Sequence, residues 1–205
     1  MAEEPLDRRA FFRRGLRTLL DTVSETVKAT RGLGGGRPAP APLRRLRPPG
    51  ALPEADFLAA CTRCDDCVSA CPAACIVRVP SGEADAGTPV IVPDARACVL
   101  CSGLNCTRVC EPGALRPLHA PEQVRIGVAV VDRDLCYPWI GSYCSACLSI
   151  CPTEPKAIVV DEQQRPGVDS ALCTGCGLCE ERCPTVPRAV TIQVVDRLLP
   201  RPAAS

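Results

Sequence analysis

Sixteen of the seventeen cysteines fall into four tight groups of four: Cys61, Cys64, Cys67 and Cys71; Cys98, Cys101, Cys106 and Cys110; Cys136, Cys144, Cys147 and Cys151; and Cys173, Cys176, Cys179 and Cys183. Cys75 is left over. This clustering restricts the fold more than any other feature of the chain. Cysteine makes up about 8% of the 205 residues, near the level that marks a disulfide scaffold in a small secreted chain. Disulfide frameworks, however, spread their cysteines so that bridges close long loops, and neighbouring thiols within these groups close none. Without cysteine the apolar share falls from 46% to about 38%, below that of an ordinary globular domain. Only three Phe, two Tyr and one Trp accompany it. An organic core of this kind is thin for the surface it must cover, and cysteine-bound inorganic material would fill the gap.

The first and fourth groups read C-x2-C-x2-C-x3-C-P, within residues 61–72 and 173–184. The second, within 98–112, reads C-x2-C-x4-C-x3-C, and the third, within 136–152, reads C-x7-C-x2-C-x3-C-P. Zinc accepts four thiolates, but its structural sites draw ligand pairs from two separated knuckles. Three thiolates at steps of three suit a loop wrapped around one cubane, each sulfur reaching a different iron. The unbroken run is the bacterial ferredoxin signature, whose fourth cysteine ligates the other cluster in two-cluster proteins. Iron-sulfur clusters are therefore expected.

The groups are copies of one unit, each followed by a short β-rich run: "IVRV", "GALRPL", "KAIVV" and "RAVTIQVV". "PVIVP" and "GVAVV" lead into the second and third groups, and about one helical turn is expected through segments such as "CEERCP". The fold class expected is α+β. The stretches "LRRLRPPGALPEADFLAACTRCDDCVSACP", "GTPVIVPDARACVLCSGLNCTRVCEPGAL", "IGVAVVDRDLCYPWIGSYCSACLSICP" and "CTGCGLCEERCP" carry a more specific likeness. They resemble the NapG/MauM-type ferredoxin proteins of periplasmic nitrate reductase and methylamine-utilisation systems, over residues 43 to about 195, including both irregular spacings and the "RLRPPGAL" lead-in.

This resemblance implies four [4Fe-4S] clusters in two ferredoxin-like, two-cluster units related by pseudo-twofold symmetry, with the sixteen grouped cysteines as iron ligands. It implies a relay of electrons between redox partners, such as a membrane protein that oxidises quinol and a reductase or dehydrogenase. The protein would be a carrier or subunit without catalytic residues of its own. An iron-sulfur assembly or maturation factor for an oxidoreductase is the alternative, and four complete ligand sets favour the relay. Matching spacing, together with a resemblance to four-cluster electron-transfer subunits, pairs group one with group four and group two with group three. The expected sets are Cys61, Cys64, Cys67 with Cys183; Cys71 with Cys173, Cys176, Cys179; Cys98, Cys101, Cys106 with Cys151; and Cys110 with Cys136, Cys144, Cys147. The rival arrangement pairs sequence neighbours, one with two and three with four.

Glu111 stands where proline follows the fourth cysteine in the other groups, although Pro112 comes next. Proline fixes φ and removes a donor, so the surroundings of Cys110 differ while its place among the ligands stands. Cys75, in "CPAAC", reads as a buried, inert cysteine, since free cysteine packs as a small hydrophobe.

The first fifty residues carry eleven Lys and Arg against five Asp and Glu, whereas the remainder carries thirteen against eighteen. A basic arm precedes an acidic body. Within it, residues 1–31 are expected to form an amphipathic helix, with Phe12, Leu16, Leu19, Leu20, Val23 and Val27 on one face. Residues 32–50 form a Gly- and Pro-rich linker, and residues 51–205 the four-cluster domain. The helix is expected to pack on the body or dock a protein partner, with peripheral contact to an anionic membrane surface as the second reading. "DRRAFFRRGL" resembles a twin-arginine export signal. The stretch after it contains Arg17, Asp21, Glu25, Lys28 and Arg31, where export requires an uncharged apolar core. A cytoplasmic protein is expected, with twin-arginine export to the periplasm as the alternative. There is no transmembrane run of eighteen apolar residues, no nucleotide loop and no catalytic triad signature. The sole histidine, His119, reads as a surface residue. An overall charge of +1 gives no reason to expect nucleic-acid binding.

Overall fold

The computed structural model describes residues 45–194. The expected amphipathic helix and residues 32–44 of the expected linker lie outside the described residues, whereas residues 45–50 pack into the body. Every regular element is short, because cysteine loops, prolines and glycines interrupt the apolar runs. The helices are α1 (Glu54–Ala60), α2 (Asp66–Ser69), α3 (Asn105–Arg108), α4 (Ala146–Ile150) and α5 (Leu178–Glu181). The strands are β1 (Ile76–Arg78), β2 (Pro89–Ile91), β3 (Val128–Val131), β4 (Ile158–Val160), β5 (Pro166–Val168) and β6 (Val190–Gln193). The mixed helix and strand content agrees with the α+β expectation.

Strand pairing is antiparallel throughout. β1 and β2 form a hairpin with Ile76 opposite Ile91, and β4 and β5 form another with Ile158 opposite Val168. In β1 Ile76 is buried in the core, and Val77 and Arg78 are exposed. β3 pairs with β6, Ala129 opposite Ile192. In the earlier part of the chain Ala51 bridges Leu115, with the Leu52 and Arg116 amides donating to the carbonyls of Ala114 and Gly50 at 3.0 and 2.7 Å. Each hairpin thus joins two successive cysteine groups, and an outer pairing closes behind them.

Two apolar clusters hold these elements. The first gathers Phe57, Ile76, Ile91, Leu104, Leu115 and Ile126, and the second Ala129, Ile158, Val190 and Ile192. Cysteines belong to both, so the thin organic core is completed by thiols. Backbone hydrogen bonds connect the two regions: the Cys98 amide donates to the Cys176 carbonyl and the Ile126 amide to that of Thr174, both at 2.9 Å.

The "RLRPPGAL" lead-in is anchored by Arg47, whose side chain is fully buried. Its guanidinium donates to the Glu54 carboxylate, to Asp85 at 2.7 Å, to the Thr88 hydroxyl at 2.8 Å and to the Pro89 carbonyl at 3.0 Å. It also lies 4.8 Å from the centroid of the Phe57 ring. Buried charge is tolerated only with such full pairing. The network ties α1 to the start of β2.

Candidate metal centre

Each cysteine group places its third member in a one-turn helix: Cys67 in α2, Cys106 in α3, Cys147 in α4 and Cys179 in α5. Residues with positive φ immediately precede three of these turns, Asp65 at 70°, Leu104 at 41° and Gly177 at 89°. They reverse the chain so that the earlier thiols face back toward the helix. At Gly177 a side chain would strike Pro93, so glycine is required there for space as well as for φ.

The sixteen cysteines border four pockets, four to each. Site I has Cys61, Cys64, Cys67 and Cys110; site II has Cys71, Cys98, Cys101 and Cys106. Site III has Cys136, Cys144, Cys147 and Cys183; site IV has Cys151, Cys173, Cys176 and Cys179. The nested pairing expected from matched spacing is therefore corrected. Cys183 joins Cys144 and Cys147, not Cys61, Cys64 and Cys67, and groups pair with their sequence neighbours. The physical reason is local closure. The hairpins β1–β2 and β4–β5 return the chain from one group directly onto the next, a short connection with little entropic cost. Spacing within a group governs only how its first three thiols wrap. The fourth cysteine, shared with another group as expected, goes wherever the following hairpin leads.

The thiols of each set spread around a cavity, and among the described residues no group of three or more His, Cys, Asp or Glu is placed to hold a single metal ion. Four sulfurs, largely apolar walls and amides aimed at sulfur fit a multi-iron cluster. The Leu115 amide donates to Cys110 Sγ at 3.3 Å and the Ala129 amide to Cys173 Sγ at 3.4 Å. Burial pushes the Cys67 and Cys106 thiols up to about 12, with neighbouring thiols adding to the effect. Cys147 and Cys176 rise to about 11, again chiefly through burial. Such sulfurs become thiolates only beside compensating positive charge, which bound iron supplies.

Cys151 and Cys183 go the other way. Burial raises them, but the Thr153 and Thr185 hydroxyls and nearby amides outweigh it and bring both below the ordinary thiol value. The hydroxyls lie 3.4 and 3.2 Å from those sulfurs while accepting from the amides of Ala157 and Ala189, each at 2.7 Å. These two threonines were not singled out in the sequence. The signal was present in the repeated Cys-Pro-Thr at 151–153 and 183–185. Cys110, despite Glu111 beside it, takes its place in site I. Cys75 is buried as expected, yet it also borders site II. His119 is exposed.

A family model described as a 4Fe-4S binding domain matches residues 166–187, which include the last cysteine group. The chain is 41% identical over 148 residues to the methylamine utilization ferredoxin-type protein MauM of Paracoccus denitrificans, covering 67% of this chain and 66% of that one. It is 38% identical over 146 residues to the ferredoxin-type protein NapG of Escherichia coli, covering 64% and 63%. With the ferredoxin-type protein NapF of Escherichia coli it shares 31% identity over 138 residues, 75% of that chain's length. The chain belongs to the MauM/NapG ferredoxin-type family. It spans slightly less than two thirds of the MauM and NapG sequences it matches. This MauM/NapG-type protein thus carries a ferredoxin-type 4Fe-4S binding domain. Among its described residues no helix is long and apolar enough to cross a membrane.

Proposed function

We propose that sites I to IV hold four [4Fe-4S] clusters and that the protein relays single electrons through them in the spatial order I, II, IV, III. The observation that carries this reading is that thiols of successive sites lie within electrostatic reach of one another, with the backbone of sites II and IV hydrogen-bonded. Cys106 of site II feels Cys67 of site I, Cys176 of site IV feels Cys98 of site II, and Cys179 of site IV feels Cys147 of site III. The Cys98 to Cys176 backbone hydrogen bond fixes the middle step. We read residues up to about 118 and those beyond as two ferredoxin-like units, each with one inner hairpin and one outer strand pairing. Pseudo-twofold symmetry between them would bring one site of each unit together at the junction.

Bound clusters supply one-electron chemistry across a range of potentials, roughly −700 to +450 mV. The chain's part is to hold the thiolates, direct amides and hydroxyls at them and exclude water. Sites I and III end the series. Cys64 of site I is exposed, and the site III loop exposes Tyr137, Ile140 and Tyr143. These ends suit two redox partners, one drawing electrons from quinol and the other a reductase or dehydrogenase, as the family resemblance suggests. A contiguous series serves a relay better than a maturation factor. Catalysis is left to the partners. The charged stretch after Arg8 and Arg9 supports a cytoplasmic location. Fusion of residues 1–48 to a reporter active only after folded export should give no signal, and a signal abolished by R8K/R9K would place the protein in the periplasm.

The central test is anaerobic purification with iron, sulfide and zinc analysis and electron paramagnetic resonance. About sixteen iron and sixteen sulfide per chain are expected. Zinc with negligible iron would defeat the reading.

A further inference from the structure

The four cavities share a wall motif that becomes visible once the cysteine sets are aligned. Each is bordered by a small residue immediately before an aliphatic one that opens or continues a strand: Ala114-Leu115 in site I, Ala189-Val190 in site III and Ala157-Ile158 in site IV. In site II the same place is held by Cys75-Ile76. Burial is alike in all four, Cys75 being 3% exposed and Ala114, Ala157 and Ala189 1–2%. Site II alone therefore has a fifth sulfur where its counterparts present a methyl group. That sulfur lies 3.5 Å from Cys71 Sγ, and Cys98 lines the same site.

We propose that Cys75 donates an S–H···S hydrogen bond to the thiolate of Cys71, raising the potential of the site II cluster. The inference rests on the four-cluster reading above. Cys71 is committed to iron as a thiolate, which accepts and cannot donate. Cys75 is the one sulfur of the two that retains a hydrogen, so the direction of the bond is settled by chemistry. Hydrogen bonds to cluster sulfur favour the more negative, reduced state and are a main means by which proteins set cluster potential. Burial strengthens the effect by keeping competing water away. Cys75 is a positioning residue: it acts on the cluster through the ligand Cys71. In the order I, II, IV, III it would make the second site a better electron acceptor than its alanine-walled counterparts would be in its place.

The test is redox-titrated electron paramagnetic resonance of the intact protein and of C75A and C75S, with iron counted in each. Alanine occupies this position in the other three sites, so C75A is compatible with the local fold. The expected result is full iron content in both variants, one cluster of four shifted to lower potential in C75A, and that cluster at or above its original potential in C75S, where a hydroxyl donor is restored. Four unshifted midpoints in C75A would overturn the proposal. So would loss of about four iron from both variants, which would make Cys75 a ligand instead of a donor. Should C75A not fold, a site II midpoint that falls in C75S would overturn it equally, because the hydroxyl donor restored there should hold the potential at or above its original value. Failure of the four-cluster reading is seen separately, as missing iron in the unsubstituted protein.

Discussion

Replacing Arg47 with methionine keeps an unbranched side chain beside Phe57 but removes the guanidinium. Thr88 and the Pro89 carbonyl lose a donor, and the carboxylates of Glu54 and Asp85 lose a charged partner. Removing one member of a buried ion pair costs about 3–5 kcal/mol. The lower end applies here, because Glu54 is 36% exposed and can be solvated, and Arg45 continues to pair with Asp85. A cost of about 3 kcal/mol is a little over a hundredfold in an opening equilibrium. When reclosing outruns capture, iron removal by a chelator follows the population of the open form. Arg47→Met should therefore lose iron from sites I and II about a hundredfold faster, while III and IV bleach at the original rate. The measurement is absorbance decay under anaerobic chelation, with paramagnetic resonance to identify which signals vanish. An acceleration below about threefold, or one shared equally by all four sites, would refute the reasoning.

Three further outcomes are expected. Cys183→Ala should remove the same cluster signal as Cys144→Ala and about four iron, with any further loss falling on site IV; removal of the signal lost in Cys64→Ala would restore the nested pairing. Gly175→Ala places a methyl group against the backbone of Gly127 at a φ of +68°, a strain of order 1–3 kcal/mol before any clash, and should deplete site IV of iron, so full iron with unchanged bleaching would contradict it. Burial raises Asp85, but Arg45 and Arg47 outweigh it and hold the carboxyl below its ordinary 3.8. Its contribution is present above that value and lost as pH falls through the folded pKa, so the stability gap between the protein and D85N should close in acid, and a gap that widens there would reverse the sign.

The cysteine groups, the one-turn helices within them and the strands that follow were legible because each is written in a few consecutive residues. Ligand spacing determines how Cys61, Cys64 and Cys67 wrap, and "IVRV" after Cys71 is rich in the β-branched residues that favour a strand. Which group supplies a fourth thiol was not legible from spacing. That choice is made by residues between the groups, through hairpins such as Ile76–Arg78 with Pro89–Ile91, and the internal spacing of distant groups does not bear on it. Arg47 looked like one basic residue among several, since only tertiary structure brings Asp85 and Thr88 to it. Cys75 looked like packing because its equivalence to Ala114, Ala157 and Ala189 depends on knowing which residues line which cavity.

Sharing of fourth cysteines has a consequence for how the protein is filled during biosynthesis. Group one gives three thiols to site I and one to site II, and group two returns the exchange; groups three and four do the same for sites III and IV. Inserting the first cluster of a pair fixes one ligand of the second and pulls its loop toward closure, and losing either loosens both. The two pairs, by contrast, exchange no cysteine across the Cys98 to Cys176 junction. Occupancy should therefore advance in steps of about eight iron, so that chains made under iron starvation divide into empty, half-filled and full molecules, and the half-filled ones lack a continuous path from end to end.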